Sequence, residues 1–288
     1  MNRPIPVLVS AILLLSAAPR TQDQRPLPDL QTFVAQTKPH LRSNDLVLRQ
    51  YTFKETETRV SRDSSGRIEE TDVRTYEVYP AERSLTYRRL ILENGARPAD
   101  LDQKDREQAA KVKKWAEERA REGVSARTAR ERKHAEADRH EAEIVDDVLA
   151  LYRITMTGRE WIAGRPAIAF TLDPRAGYKG KTDEADIIRK FKGRAWIDEE
   201  DHELARLEME VAEPVSIGLG LIYRLNTGSH ATIERRKVDG QSWLPARSHF
   251  VGTGRLLLLR RIDIDQLSEY SDYRRITTDT TTGVTRPK

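Results

Sequence analysis

Apolar and polar residues alternate along most of the chain, as they do in β-strands with one buried face. Leu207, Met209 and Val211 alternate with Glu208 and Glu210, and this period of two predicts a strand. The same pattern predicts further strands, which are separated by turn residues and are antiparallel. The predicted strands cover residues 46–58, 68–79, 85–92, 154–161, 166–172, 194–198, 204–211, 217–225, 231–237, 248–251 and 256–264.

Helical patterns occur at two places, one before the first predicted strand and one after the third. Asp29 can cap a short helix over residues 29–38, which ends at Pro39. A longer helical insertion follows the third strand and covers residues 99–152. Because a one-sided sheet has to cover its apolar face, we expect the first helix and the end of the insertion, residues 143–152, to lie on it.

Most of the helical insertion lacks an apolar face. Residues 99–143 hold twelve basic and twelve acidic residues, and a glycine at position 123 is expected to divide them into two helices. We therefore expect this part of the insertion to be solvated and to be dispensable for folding. Its only apolar residues larger than alanine are Leu101, Val112, Trp115 and Val124.

The resulting fold class is mainly β, with an α+β arrangement. We expect a half-open antiparallel β-barrel or curved sheet that is covered by helices and carries the charged insertion after its third strand. One β domain then covers residues 29–276. An extended leader over residues 19–28 precedes it, and a tail over residues 277–288, which has no apolar face, is expected to be disordered.

The N-terminus has the three regions of a secretory signal peptide. Arg3 is the positive charge, Val7 to Leu15 form a short apolar segment, and Ser16-Ala17-Ala18 is a small-residue cleavage site. We expect residues 1–18 to be removed near Ala18 and the protein to reach the periplasm. No later segment approaches the length of a membrane span, so the cleaved protein is expected not to be transmembrane.

Composition excludes several classes of protein. The 288 residues include no cysteine, which excludes disulfides, thiolate catalysis and iron–sulfur clusters. The formal net charge is +4, with 33% of residues charged. Because the two signs are interleaved, this small excess is typical of a solvated surface, and we expect no nucleic-acid partner.

Motifs for catalysis or for metal binding are incomplete. His140-Glu141 lacks the second histidine of a zinc-protease helix, since Ile144 stands there. The acidic run of residues 198–203 is denser, but it lacks the spacing and the glycine of a calcium loop, so a solvated turn is favoured over a cation site. We expect no catalytic residue, no metal and no cofactor, and therefore a protein that is not an enzyme.

Several strand motifs resemble one exported bacterial family. They are YTFKETET at residues 51–58, TYEVYP at 75–80, LENGARP at 92–98, and GRAWID at 193–198 followed by LARLE at 204–208. The chain resembles the outer-membrane lipoprotein-sorting-protein-like family, within the superfamily of LolA, LolB and RseB. The resemblance implies a half-open barrel that holds acyl chains. It assigns no functional residue, since the long insertion is not a feature of the LolA carrier.

Two functions follow as expectations. The first is a non-enzymatic periplasmic protein that binds lipid or lipoprotein acyl chains in an apolar groove. The second is a periplasmic sensor or scaffold that uses its helical insertion to bind an envelope protein. For the first, the expected lipid-binding residues lie on apolar faces of two strands: Leu207, Met209, Val211, Leu219, Leu221 and Tyr223.

Overall fold

The structure is a computed structural model, and it describes residues 25–41, 45–63, 65–80, 86–217, 223–256 and 260–276. The signal segment and the C-terminal tail predicted from the sequence lie outside these residues. Five α-helices occur in the described part of the chain. They are α1 Leu30–Thr37, α2 Asp45–Leu48, α3 Leu101–Ala120, α4 Val124–Leu151 and α5 Asp183–Ile188.

The described strands make up the larger part of the fold. They are β1 Tyr51–Arg62, β2 Ile68–Pro80, β3 Thr86–Glu93, β4 Tyr152–Ile162, β5 Arg165–Pro174, β6 Phe191–Asp198, β7 Leu204–Val211, β8 Val215–Ile217, β9 Tyr223–Leu225, β10 His230–Val238, β11 Ser242–Leu256 and β12 Arg260–Arg275.

All twelve strands belong to one antiparallel sheet. Ten of them follow the order β3-β2-β1-β12-β11-β10-β7-β6-β5-β4, while β8 pairs with β9 and β9 pairs with β11. The order is not closed, because β3 and β4 stand at opposite ends. The predicted fold class, a mainly β protein with an open, helix-covered antiparallel sheet, is therefore confirmed.

One face of the sheet, which we call the inner face, carries the covering helices. Phe33 of α1 packs into a buried cluster with Ile168 and Phe170 of β5. Asp29 caps this helix as predicted, since its Oδ1 accepts a hydrogen bond from the amide of Thr32 at 2.9 Å. The helix thus begins where the sequence indicates, and it covers the inner face at β5.

The helical insertion forms two helices that meet at Gly123, as predicted. The end of α4 is buried on the sheet, where Leu151 packs with Tyr152. The start of α3 is also attached, since Arg89 of β3 donates two hydrogen bonds to Asp105, at 2.7 and 2.6 Å. The prediction that all of residues 99–143 are solvated is therefore wrong at this end. Leu101 is buried there, whereas the other large apolar residues of the segment are exposed: Val112, Trp115 and Val124.

The prediction of one strand over residues 217–225 is wrong. Val215–Ile217 and Tyr223–Leu225 are separate strands that pair with each other, with Val215 opposite Leu225. The chain therefore folds back inside the predicted strand. The alternation of Ile217, Leu219 and Leu221 predicts one strand, but residues 218–222 lie outside the described part of the chain.

Other boundaries also differ from the sequence expectations. Residues 45–48 are helical, so the first strand begins at Tyr51. The strand predicted over 256–264 is divided, because Leu256 ends β11 and Arg260 begins β12. Strand β12 then continues through the polar residues 265–275, whose weak apolar alternation gave no strand signal.

Candidate functional site

Strand register defines continuous rows of side chains across the inner face. Directly opposed residues of antiparallel strands point to the same side of a sheet. The row that begins at Phe170, beside α1, can therefore be followed strand by strand to β1. Its members are Phe170, Ala195, Leu207, Ile233, Ser248, Ser268 and Glu57. A neighbouring row contains Gly193, Met209, Ala231, Phe250, Gln266 and Arg59.

Both rows are apolar on β7 and β10, and the second row is also apolar on β11. Leu207, Met209 and Phe250 are half-buried, and Ile233 is 40% exposed. A fully packed core would cover an isoleucine at this position. The inner face is therefore open to solvent at β10, beyond the part that α1 covers, and it presents apolar side chains there. We call Leu207, Met209, Ile233 and Phe250 the apolar strip.

Gly193 in β6 leaves room for the apolar strip beside it. A Cβ at this position would lie 2.5 Å from Sδ of Met209 and still closer to the backbone oxygen of Glu208. Only glycine therefore allows β6 and β7 to approach each other with Met209 lying over the backbone of β6. The side chain of Met209 also packs against the buried cluster of Leu151 and Tyr152.

The six predicted lipid-binding residues are divided by the structure. Leu207 and Met209 belong to the apolar strip, whereas Val211 is buried in a cluster with Val215 and Leu225. Leu219 and Leu221 lie outside the described residues. Tyr223 is in β9, which pairs with β11 and not with β7.

Two residues of the apolar strip were missed from the sequence. Ile233 stands among charged residues in the segment ATIERRKV, and Phe250 stands beside histidine, valine and two glycines. Neither segment has several apolar residues on one face. Their place beside Leu207 and Met209 depends on the pairing of β10 with β7 and with β11, for which the local pattern holds no signal.

The opposite end of the rows is charged. Glu57 is buried, and its carboxylate contacts Arg88 at 3.0 Å and Arg59 at 2.6 Å. Glu55 contacts the Nε atom of the same Arg88 at 2.9 Å. The guanidinium of Arg88 also lies 4.0 Å from the centre of the Tyr76 ring, within the range of a cation–π contact. We call Glu55, Glu57, Arg59 and Arg88 the charged cluster.

Burial in the charged cluster changes the pKa of one of its carboxyl groups. Loss of solvation raises the pKa of Glu55 above its usual value of 4.5, and the neighbouring charge of Arg88 opposes part of that rise. The more exposed members of the cluster are the two arginines, with 37% of the Arg88 side chain and 52% of the Arg59 side chain exposed. The carboxylates lie beneath them.

The acidic run at residues 198–203 has protein partners for its charge. Asp198 is buried and receives two hydrogen bonds from Arg165, at 2.6 and 2.9 Å. Asp201 contacts Lys237 at 2.8 Å and accepts a hydrogen bond from the indole of Trp243. These carboxylates hold the β6–β7 turn against β5, β10 and β11. The turn lies where the sequence predicts it, but the prediction that it is solvated is wrong at Asp198, which is buried in an ion pair.

A second concave region lies at another part of the sheet. Its cavity volume is about 280 Å³, and its lining includes Arg62, Val251 and Asp265. Asp265 binds Arg62 at 3.0 Å and His249 at 2.9 Å. Val251 and Ile264 also line the cleft, so it combines an ion-paired carboxylate with apolar side chains.

Comparison with known proteins gives matches among solved structures alone. No family model matches the chain, and no curated protein matches it. An outer-membrane lipoprotein-sorting protein domain from Vibrio parahaemolyticus is similar with a TM-score of 0.33 and 9% identity, over 86% of this chain and 92% of that one. The description of this structure names the family that the sequence motifs resemble.

Two further structures are similar over comparable lengths. A DUF1329 family protein from Desulfovibrio piger has a TM-score of 0.30 and 11% identity, over 89% of this chain and 96% of that one. The MucA/MucB complex of Pseudomonas aeruginosa contains a chain with a TM-score of 0.25 and 9% identity, over 86% of this chain and 99% of that one. Values this low do not transfer a function.

No helix in the described part of the chain has both the length and the hydropathy that crossing a bilayer requires.

Proposed function

We propose that this protein is an exported, non-enzymatic binding protein of the periplasm that holds acyl chains of lipids or lipoproteins on the inner face of its sheet. The observation that carries the proposal is the exposure of Ile233 within a row of apolar side chains on the helix-covered face. The signal segment predicted for residues 1–18 supports export.

The apolar strip offers an acyl chain a surface of suitable chemistry. Leu207 lies directly opposite Ile233, and Met209 opposite Ala231, which in turn lies opposite Phe250. Each methylene of a bound chain that leaves water contributes about 0.8 kcal/mol. Binding therefore needs no catalytic group and no charge at this position, only an open apolar surface next to a rigid sheet.

Replacement of Ile233 by glutamate tests this function. The open inner face should keep the new carboxylate hydrated, so we expect the Ile233→Glu variant to fold, with a modest fall in melting temperature. It should bind a fluorescent fatty acid about tenfold more weakly or not at all. Titration of the delipidated protein and a thermal melt followed by circular dichroism measure the two effects.

Ile68→Glu is the matched control. Ile68 is also an isoleucine in a strand and is 60% exposed, but it lies at the start of β2, opposite Arg62. This variant should bind the fatty acid as the wild type does. A wild-type protein that binds no fatty acid after delipidation would remove the proposed function, and an unfolded Ile233→Glu variant would show that the strip is a closed core.

The helical insertion favours a second function, binding of an envelope protein. Val112 and Trp115 are both exposed and stand three residues apart on α3, so they lie on neighbouring positions of one helix face. A sensor or scaffold could use this pair, together with the flanking charges, as a docking surface. Acyl binding and partner binding would then involve separate parts of the molecule.

A further inference from the structure

The rows of the inner face change from apolar to charged along their length. Ile233 of the apolar strip is separated from Glu57 by β11 and β12, that is, by three strand spacings. At about 4.8 Å per spacing, the two side chains stand roughly 14 Å apart across the sheet. The second row reaches Arg59 in the same way, through Phe250 and Gln266. Both rows therefore end at the charged cluster.

We infer that the inner face takes an acyl chain with an anionic head group, and that Arg88 and Arg59 bind this head group while the chain lies on the apolar strip. The inference rests on the proposed function, because it names the ligand of the same face. Glu55 and Glu57 balance the charge of the two arginines, but they lie beneath them. A ligand that approaches from solvent therefore meets the guanidinium groups first, and these groups bind an anionic head group.

The buried glutamates position Arg88 for this role. Glu55 engages the Nε atom of Arg88 and Glu57 engages Nη2, and within the described residues Nη1 contacts no carboxylate. The ring of Tyr76 supports the guanidinium plane from one side. A guanidinium whose orientation is fixed in advance loses little side-chain entropy when it binds a carboxylate or a phosphate.

Arg59 supplies a second, more adaptable cation. Its Nε atom contacts Glu57, and more than half of its side chain is exposed. Because Glu57 contacts both arginines, it holds the two guanidinium groups next to each other at the edge of the apolar rows. The site thus presents two neighbouring guanidinium groups to the head group of a chain that lies on the apolar strip.

A matched pair of probes tests the inference. A dansyl-labelled fatty acid and its methyl ester share the same chain and differ only in the charge of the head group. We expect the wild-type protein to bind the acid about tenfold more tightly than the ester, as one charge-assisted hydrogen bond would give. The Arg88→Gln and Arg59→Gln variants should reduce this ratio toward one by weakening the binding of the acid.

Arg194→Gln is the control for general effects of removing an arginine. Arg194 also lies over an aromatic ring, 4.5 Å from that of Trp196, and its side chain is 44% exposed. It belongs to the opposite face, since it lies opposite Glu208, the neighbour of Leu207 and Met209 in β7. The Arg194→Gln variant should retain the full preference for the acid.

The outcomes separate the two proposals. Equal affinity of the wild-type protein for acid and ester would overturn the inference and leave the proposed function intact. Binding of neither probe would overturn both. If Arg88→Gln fails to fold because Glu55 loses its partner and Glu57 loses one of its two, Arg59→Gln decides the question. An unchanged preference in that variant would contradict the inference.

Discussion

Asp147 is the buried carboxylate that fastens the loop after β5 to α4. It accepts hydrogen bonds from the amides of Lys181 and Thr182, both at 2.8 Å, and from the hydroxyl of Tyr178 at 3.0 Å. Burial alone would raise the pKa of Asp147, but these hydrogen bonds outweigh burial and lower the pKa to about 2. Gly180 is required beside it, since a Cβ there would lie 2.9 Å from Oδ2 of Asp147.

Replacement of Asp147 should lower the stability of the fold at neutral pH. An asparagine has the same shape but presents an amide group to at least one of the donors, so Asp147→Asn should lower the free energy of unfolding by about 2 kcal/mol. A carboxylate with a lowered pKa stabilises the fold above its unfolded pKa, near pH 4, and loses this effect as the pH falls toward 2. The difference between the two proteins in urea unfolding should therefore shrink over that range.

Asp146→Asn is the control for this prediction. Asp146 is the neighbouring carboxylate on α4, where it forms an exposed ion pair with Lys38 at 2.7 Å, and such a pair contributes 1 kcal/mol or less, to order of magnitude. The change should therefore be small. Equal losses in the two variants would show that Asp147 has no special place in the fold.

The sequence predicts residues whose partners are near them along the chain, but not residues whose partners are distant. The Asp29 cap is local, because its hydrogen-bond partner is three residues away, and it was predicted correctly. Asp147 binds groups more than thirty residues away, and no neighbouring residue indicates this. Ile233 was missed for the same reason, since only the pairing of β10 with β7 brings it beside Leu207.

At the scale of elements, the helical insertion has an attached part, which contacts the sheet, and a projecting part, which is mostly exposed. The attached part includes Leu101, Asp105 and the buried end of α4. The projecting part, residues 107–139, has exposed apolar residues and many charges. The uniform charge pattern hid this division from the sequence, because the contact of Asp105 with Arg89 joins residues that are sixteen positions apart.

Removal of the projecting part should leave the fold intact. We expect a variant in which a short Gly-Ser linker replaces residues 107–139 to keep its β-sheet circular dichroism and to melt within a few degrees of the wild type. It should also bind the fatty acid normally, since the apolar strip is untouched. Deletion of residues 99–143 in full should cost more, because Leu101 and the partner of Arg89 are lost.

The contrast between the two deletions is the diagnostic result. If the shorter deletion unfolds the protein, the projecting helices stabilise the sheet. If the shorter deletion abolishes fatty-acid binding while the protein remains folded, the helical insertion and not the inner face holds the acyl chain.

At the scale of the whole molecule, the sequence predicts the class of fold but not its strand order. Alternating patterns located most strands, and the insertion was placed correctly after β3. Strand β12, however, lies between β1 and β11, and β10 lies beside β7. These are long-range pairings, and the period-two pattern is the same whichever neighbour a strand has. The apolar strip is brought together by this order, so it became visible only in the structure.

Mapping the position of a bound acyl chain tests the central claim most directly. The delipidated wild-type protein is loaded with a photoactivatable fatty acid, irradiated, and digested for peptide mass spectrometry. The inner-face account predicts labels in β7, β10 and β11, on Leu207, Met209, Ile233 or Phe250, and their loss when unlabelled fatty acid competes. Labels found only in the helical insertion or on the opposite face of the sheet would contradict this account. So would the absence of any label that unlabelled fatty acid removes.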